Sequence, residues 1–403
     1  MKNHETLFDI DKLILLQIAL LAADFFLTSN PYYAAHSGLG ITTMEFAIHI
    51  GWLTVITLIL VWYEVIKRGF KWKDTFLILF FIVLLSIQIF KYGNLFSVVF
   101  PYFSILGLFF FSRLSKTFID WTFVSRFIWF LFLLGVILAL LRPEVWGVIN
   151  ISFSREYRGE IVFNDMLGIS FIASVLLGSY AIFEKKYFII FLVLILFYSS
   201  FGSRRYLLLM LPTLLVVLFF YAKKAFISIR SFIWLAITFF VLFILIYVFG
   251  DKVIAFAFSE NRGDISTGRT ELWAYYWRIF LDHPFLGNGP RIEIPGYLVA
   301  QSEVSGALAY LTKFGLFFFL WQIFMVLIAL KKAISFLLNS KLNSNETFIP
   351  LVVIAGTPLY LIEGIYSVMD PAGMLFWYSV FKIVNDKHYS AKKTENYSKI
   401  LKN

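Results

Sequence analysis

Residues 75–111 read TFLILFFIVLLSIQIF, then KYGN, then LFSVVFPYFSILGLFFF: two apolar runs separated by four residues. Neither run contains an Asp, Glu, Lys or Arg residue. A helix that crosses the hydrocarbon core of a bilayer needs about 20 residues, and fewer if its ends lie at the interface. The runs also lack the strict polar–apolar alternation of membrane β-barrel strands. The stretch therefore predicts two transmembrane helices joined by a tight turn.

The composition of the whole chain extends this prediction. Of 403 residues, 60% are hydrophobic and 15% are charged, whereas a soluble domain is about half apolar and a quarter charged. We therefore predict an all-α polytopic membrane protein and exclude soluble enzymes, secreted domains and disordered chains. The absence of Cys from the sequence excludes disulfides, thiolate metal sites and a Cys nucleophile. We expect no cleaved signal peptide, because no small-residue cleavage site follows the first apolar run.

The apolar runs predict about twelve transmembrane helices. They cover roughly residues 12–28, 46–65, 75–90, 94–111, 126–141, 166–183, 187–201, 206–221, 232–249, 306–330, 348–364 and 371–384. No internal repeat or low-complexity linker divides the sequence, so residues 1–403 are predicted to form a single integral membrane domain. The longest connection is a loop over residues 250–305.

The distribution of Lys and Arg predicts the orientation of the chain. With the N-terminus inside, the inside segments hold 23 Lys and Arg residues and the outside segments hold 11. Cytoplasmic loops of membrane proteins carry an excess of Lys and Arg. We therefore expect both termini in the cytoplasm and the 250–305 loop outside the cytoplasmic membrane. The net charge of +10 is mostly this topology signal, so nucleic acid is not an expected partner.

The outside cations differ in kind from the inside ones. The inside segments contain 19 Lys and 4 Arg residues, whereas the outside segments contain 2 Lys and 9 Arg residues. Topology needs only positive charge, but the planar guanidinium group of Arg also pairs bidentately with phosphate or carboxylate. The outside Arg residues therefore predict a site for an anionic ligand. The alternative is that they pair with the Asp and Glu residues of the same loops.

Two adjacent cations follow the seventh predicted span. Residues 198–206 read YSSFGSRRY, so Arg204 and Arg205 lie in a tight outside turn at headgroup depth. Gly202 and Ser203 can start the next helix, and a helix N-terminus favours an anion. The alternative is that both side chains extend to lipid phosphates.

A second group of cations precedes the sixth predicted span. Residues 154–165 read SREYRGEIVFND and include Arg155 and Arg158. This polar stretch close to the bilayer predicts a re-entrant or interfacial turn, which is tolerated where it lines a protein cavity. Both Arg residues are candidates for binding an anionic substrate.

The 250–305 loop contains a predicted amphipathic helix over about residues 268–282. Thr267 or Gly268 can cap it, and a proline ends it. Arg269, Trp273 and Tyr276 then lie on one face of the helix. An Arg above aromatic rings suits a phosphorylated sugar. The alternative is an interfacial helix that rests on lipid headgroups.

The remaining titratable residues predict little chemistry. His36, His49 and His283 are isolated, and no His, Asp or Glu set has the spacing of a metal site, so we expect no metal and no cofactor. Charged residues within the spans are scarce, with Asp24 near an outside end and Lys313 inside a span. Transporters and proton pumps usually carry such residues in mid-span.

Several of these motifs together resemble the O-antigen ligase/polymerase superfamily. They are Thr267-Gly268-Arg269 followed by Trp273, the stretch His283-Pro284-Phe285-Leu286-Gly287-Asn288-Gly289, Ser203-Arg204, and Arg158-Gly159 with Asn164. The resemblance implies a GT-C-like membrane protein with a large outside loop before its last spans. In ligases of this superfamily a His-Asn pair begins the helix after the loop, with Leu four and Gly eleven residues past the His. Here Leu308 and Gly315 keep the spacing, but the His position holds Val304, which favours a Wzy-type polymerase over a ligase.

The resemblance also implies the reaction. Repeat units on undecaprenyl pyrophosphate would be joined by inverting glycosyl transfer on the outer face of the bacterial cytoplasmic membrane, with a chain-length regulator membrane protein as a further partner. Arg158, Arg204 and Arg269 would stabilise the leaving pyrophosphate, followed by Arg205 and Arg155, while Trp273 and Tyr276 would contact sugar. Glu303, next to the ligase His position, is the first candidate for the general base, with Glu271 and Asp165 behind it. The alternatives are a ligase-type glycan transferase and a polysaccharide transporter or flippase.

Overall fold

The computed structural model describes most of nine predicted spans and part of the long loop. The described residues are 72–92, 95–115, 121–140, 167–201, 204–225, 269–289, 292, 307–339, 344–362 and 371–389, with scattered positions between 12 and 67. The described residues form ten α-helices, and no strand occurs among them. The predicted all-α class is therefore confirmed for the described part of the chain.

The described helices are numbered in chain order. They are α1 (Trp72–Tyr92), α2 (Leu95–Leu114), α3 (Thr122–Leu140), α4 (Leu167–Ala181), α5 (Lys185–Phe201), α6 (Arg204–Ala225), α7 (Arg269–Asp282), α8 (Ala307–Asn339), α9 (Ser344–Ile362) and α10 (Pro371–Asn385). A 3₁₀ turn, Lys387–Tyr389, follows α10. All of them except α7 coincide with a predicted span.

Two of the helices, within the described residues, are long and apolar enough to cross a membrane by length and composition. These segments are Asp74–Lys91 of α1 and Ala307–Leu338 of α8. Shorter apolar segments lie in α2, α3, α4 and α6. The predicted spans at 12–28, 46–65 and 232–249 lie largely or wholly outside the described residues, so the number of twelve spans stays a prediction.

Helix α4 lies at the centre of the bundle, where it contacts α3, α5, α6, α9 and α10. Its residues from Ile169 to Ser179 are almost all buried, and several are small. A Cβ added at Gly178 would lie 2.3 Å from the Thr213 Cγ2 atom of α6. Small residues let helix backbones approach closely within membranes, and this accounts for the central position of α4.

One end of the bundle is joined by polar contacts between helix ends. Arg113, near the end of α2, pairs with the buried Asp74 at the start of α1. Lys382 of α10 donates to the carbonyls of Ser112 (3.3 Å) and Ser115 (2.8 Å) at the end of α2. Lys332 of α8 similarly donates to the Val384 carbonyl (2.9 Å). Cations at helix C-termini satisfy carbonyls that have no partner within the helix.

All of these cations belong to the set predicted to lie on the inside. The structure places these cations at one end of the bundle, where α1 starts and where α2, α8 and α10 end. The side of the membrane that this end faces stays a prediction.

Candidate active site

Two of the predicted site residues begin helices. Helix α6 begins at Arg204 and helix α7 begins at Arg269. The expected helix start directly after Gly202 and Ser203 is thus confirmed, as is the helix predicted over residues 268–282. The first four N–H groups of a helix have no partner within it, and together with the helix dipole they favour an anion. Backbone N–H donors are therefore available at the starts of both helices.

The buried face of α7 packs on the first turns of α8. The Tyr276 side chain has 0% of its surface exposed and contacts Ile292 and Ala309. The Thr312 hydroxyl of α8 donates to the Tyr276 carbonyl (3.1 Å) and to the Leu308 carbonyl (2.9 Å). Burial gives Tyr276 a packing role that fixes α7 against α8. Its predicted contact with sugar stays a prediction, as does that of the half-buried Trp273.

Helix α8 is interrupted near its start. Gly315 has φ 83° and ψ 172°, which lie outside the helical region. In a continuous helix the carbonyls of Thr312 and Lys313 would each accept a hydrogen bond from the N–H four residues later. The break removes these bonds, and unsatisfied backbone groups are costly inside a membrane. The break therefore requires partners from elsewhere in the chain.

The turn after α7 supplies those partners. The Asn288 N–H donates to the Thr312 carbonyl (2.8 Å), and the Gly289 N–H donates to the Lys313 carbonyl (3.0 Å). In the opposite direction, the Leu316 N–H donates to the Pro284 carbonyl (2.8 Å). The turn thus replaces the helical hydrogen bonds that α8 loses at its break.

Side chains tie the turn to two further helices. The Asn288 Nδ2 atom donates to the Ile279 carbonyl in the last turns of α7 (2.6 Å). The Gln88 Nε2 atom of α1 donates to the Leu286 carbonyl (2.6 Å) and lies 3.5 Å from the Lys313 carbonyl. Gln88 is 2% exposed, so α1, α7 and α8 meet in a buried, hydrogen-bonded joint.

The closest approach in this joint is between two glycines. Gly287 has φ 76°, and a Cβ added there would lie 2.3 Å from the Lys313 carbonyl oxygen. A Cβ added at Gly315 would lie 2.3 Å from the Phe285 carbonyl oxygen and 2.6 Å from the Gly287 nitrogen. Positive φ values also favour glycine. Both positions therefore require glycine for two independent reasons.

The sequence motifs are thereby brought together in space. The stretch from His283 to Gly289 and the Leu308/Gly315 spacing are, in the sequence, separate motifs of the family resemblance. The structure places Gly287 against Gly315. The roles of Gln88, Asn288 and Thr312 were not predicted, because single polar residues beside apolar runs carry no periodic signal.

The other predicted site residues are only partly within the described structure. Arg155, Arg158, Asp165 and Glu303 lie outside the described residues, and Arg204, Arg205, Arg269 and Glu271 have described helix positions without described side-chain contacts. Among the described side chains, no group of three or more His, Asp or Glu residues could hold a metal ion. His283 is exposed at the end of α7 and Lys313 is buried in α8.

Residues 187–310 match the Wzy_C family model, which is described as O-antigen ligase. No curated protein matches the chain. The matched segment begins in α5 and includes Arg204, all of α7, the turn after α7 and the first turn of α8. The resemblance to the O-antigen ligase/polymerase superfamily is thereby confirmed over this segment.

Proposed function

We propose that the protein is a membrane glycosyltransferase that joins oligosaccharide repeat units carried on undecaprenyl pyrophosphate. The observation that carries the proposal is the match of residues 187–310 to the O-antigen ligase family, because this segment contains the Arg residues at which α6 and α7 begin. The reaction would take place at the outer face of the bacterial cytoplasmic membrane. Both chain termini would lie in the cytoplasm.

The proposed chemistry is an inverting displacement at an anomeric carbon. A sugar hydroxyl of one repeat unit attacks the anomeric carbon of another, and the bond from that carbon to the pyrophosphate oxygen breaks. The bonding electron pair leaves with undecaprenyl pyrophosphate, whose negative charge grows in the transition state. Guanidinium groups held in place before the reaction stabilise that charge more than they stabilise the ground state.

Three arginines are proposed for this role. Arg204 and Arg269 each stand at a helix N-terminus, where backbone N–H groups add to the positive field. Arg158 completes the set, and Arg205 and Arg155 bind the same substrate nearby. The joint between α7 and α8 supports this assignment, since it fixes the helix that carries Arg269 against the bundle.

A carboxylate is proposed to take the proton of the attacking hydroxyl. Glu303 stands four residues before α8 begins and next to the position where ligases of this superfamily hold a His. Glu271, in the first turn of α7, and Asp165 are the other candidates. Proton transfer to a positioned base contributes about 10²–10⁴-fold to a rate.

Polymerase activity is favoured over ligase activity by one residue. Val304 occupies the position of the ligase His, and a valine side chain cannot accept a proton. The second candidate is a ligase-type transferase, which the O-antigen ligase family matched by residues 187–310 favours.

Reconstitution distinguishes these functions. The purified protein is placed in liposomes that contain lipid-linked repeat units as the sole glycan, and the products are separated by size. A polymerase yields a ladder spaced by one repeat unit and releases one undecaprenyl pyrophosphate for each bond formed. A ligase yields product only when a second acceptor lipid with a different glycan is added. Movement of intact substrate across the bilayer without a new bond would identify a flippase and contradict the proposal.

A further inference from the structure

The exposed side of α7 has two chemically different edges. Trp277 is 51% exposed and Leu281 is 57% exposed, and the two are one helical turn apart. Arg278 and Asp282, one position further on in each case, are also exposed. Residues four positions apart are neighbours on a helix surface, so Trp277 and Leu281 form an apolar edge, and Arg278 and Asp282 form a charged edge. The Arg278 guanidinium lies 6.0 Å from the ring centroid of Tyr275, beyond the charged edge.

A further exposed apolar residue, four positions after Leu281, lies in the turn that follows α7 and contacts α8. Phe285 is 56% exposed, and its ring stacks on that of Phe317 with centroids 5.7 Å apart. Phe317 begins a row of exposed residues on one face of α8, namely Phe317, Leu320, Phe324 and Leu327, whose exposed fractions run from 47% to 59%. A spacing of three or four residues places such a row on one helix face.

This row identifies what covers the apolar edge. Helix α8 is long and apolar enough to cross a membrane, and the exposed apolar face of a helix that crosses a membrane contacts lipid acyl chains. The Phe285 ring lies directly against the first residue of that face. Leaving a large apolar side chain in water instead of burying it is unfavourable. The same lipid therefore extends over Phe285 and the neighbouring apolar edge of α7.

We propose that the C-terminal half of α7 and the turn after it are inserted into the bilayer interface. Trp277, Leu281 and Phe285 contact the boundary between headgroups and acyl chains, whereas Arg278 and Asp282 face water. Interfacial helices bind membranes in this way, with an apolar face towards the acyl chains and a polar face outwards. The proposal does not depend on the reaction that the protein catalyses.

The absence of Cys from the sequence makes the test direct. Single-Cys variants are prepared as W277C, L281C, R278C and D282C, labelled with a nitroxide and reconstituted in liposomes of phosphatidylethanolamine and phosphatidylglycerol. Power saturation then measures the collision rate of each label with oxygen, which concentrates in acyl chains, and with a water-soluble nickel chelate. F324C supplies the lipid reference and K186C supplies the water reference, since Lys186 has a side chain that is 66% exposed.

The expected result is a contrast between adjacent positions of one helix. Labels at 277 and 281 should collide mainly with oxygen, as at 324, and labels at 278 and 282 mainly with nickel, as at 186. Nickel access at all four positions would show that α7 lies in water and would overturn the proposal. Protection of 277 and 281 from both reagents would show that protein covers this edge, which would also overturn it. Each substituted residue is exposed in the structure, so the variants should keep the wild-type fold. An unchanged thermal midpoint checks this for each variant.

Discussion

Arg204 and Arg269 each occupy the first position of a helix, and at this position a guanidinium and a Lys ammonium differ in a testable way. Lys keeps the charge but loses the planar pair of donors that grips a phosphate bidentately. We expect Arg204→Lys and Arg269→Lys each to lose most of the polymerisation rate while the amount of inserted protein is unchanged. The measurement is glycan length against time in reconstituted liposomes.

A matched control for this prediction lies on the same helix. Arg278→Lys changes an exposed Arg of α7 that has no proposed contact with substrate, so it should retain the wild-type rate. If the Lys variants at 204 and 269 also retained it, the pyrophosphate role would be wrong. The presence of Arg at positions 204 and 269 would then be explained by side chains that extend to lipid phosphates.

The proton acceptor gives a second prediction at the scale of a residue. Glu303→Gln keeps the size of the side chain but cannot take a proton, so turnover should fall by about 10²–10⁴-fold. Glu303→Asp should retain part of the rate, and binding of the lipid-linked donor should be unchanged in both. A Gln variant within about threefold of wild type would leave no base role for Glu303, and Glu271→Gln would be the next variant to measure.

At the scale of the secondary-structure element, the break in α8 depends on Gly315. Alanine there would be strained by its positive φ, at a cost of about 1–3 kcal/mol, and its Cβ would lie 2.3 Å from the Phe285 carbonyl oxygen. We expect Gly315→Ala to lower the thermal midpoint of the detergent-solubilised protein and to increase hydrogen exchange in α7, because the turn can no longer reach α8.

A contrasting glycine serves as the control for this variant. In Gly178→Ala the new Cβ would meet only a side-chain methyl, Thr213 Cγ2 at 2.3 Å. The double variant Gly178→Ala/Thr213→Ser removes that methyl and should recover most of the lost stability. For Gly315→Ala the obstacle is backbone, so no single side-chain change should recover it. A wild-type midpoint for Gly315→Ala would contradict the described joint.

The ion pair between α1 and α2 gives a second prediction at the scale of the secondary-structure element. Asp74 is buried and its partner Arg113 is 32% exposed. We expect Asp74→Ala to destabilise the protein by about 1–3 kcal/mol, less than the loss of a fully buried pair, because water still reaches Arg113. Asp74→Ala/Arg113→Leu should recover part of this loss in thermal unfolding.

An exposed ion pair provides the comparison for Asp74. Glu184 and Lys186 lie 2.9 Å apart with side chains 51% and 66% exposed, so Glu184→Ala should leave the thermal midpoint unchanged, because solvent screens an exposed pair. Equal effects of the two Ala variants would show that burial of Asp74 has no energetic consequence.

Within the described residues, helices were predictable from the sequence where an apolar run was long and uninterrupted. The run 75–90 became α1 with two to three more residues at each end, and α7 was predicted to within one residue from its caps. The break at Gly315 was not predictable from its own surroundings. A lone Gly within an apolar helix costs only about 1 kcal/mol, so the local sequence is compatible with a continuous helix.

The candidate site shows the same limit. The Arg positions at the starts of α6 and α7 followed from turn residues and caps, which are local signals. The joint that holds α7 depends on Gln88, whose acceptor Leu286 is 198 residues away, and on Asn288, whose N–H donates to the Thr312 carbonyl of the next helix. Such contacts arise only when the helices have packed, and no periodicity in the sequence encodes them.

At the scale of the whole molecule, the charge distribution predicts the orientation. With 23 Lys and Arg residues on one side and 11 on the other, both termini should be cytoplasmic and the loop that contains α7 should be outside. Alkaline phosphatase fused after residue 275 should be active, and green fluorescent protein fused after residue 395 should fluoresce. The reverse pattern would contradict the orientation and with it the proposed site of reaction.

The mutual contact of Gly287 and Gly315 has a consequence for the descent of such proteins. A side chain at either position strikes the backbone beside the other, so substituting one glycine pushes the turn away from α8, and the packing reason to keep its partner is then lost. We expect homologous sequences to hold the two glycines as a pair or to lack both, with no lineage that retains one alone for long. In lineages that lack both, the joint between the turn and α8 should be replaced by a continuous helix and a longer, independently folded loop.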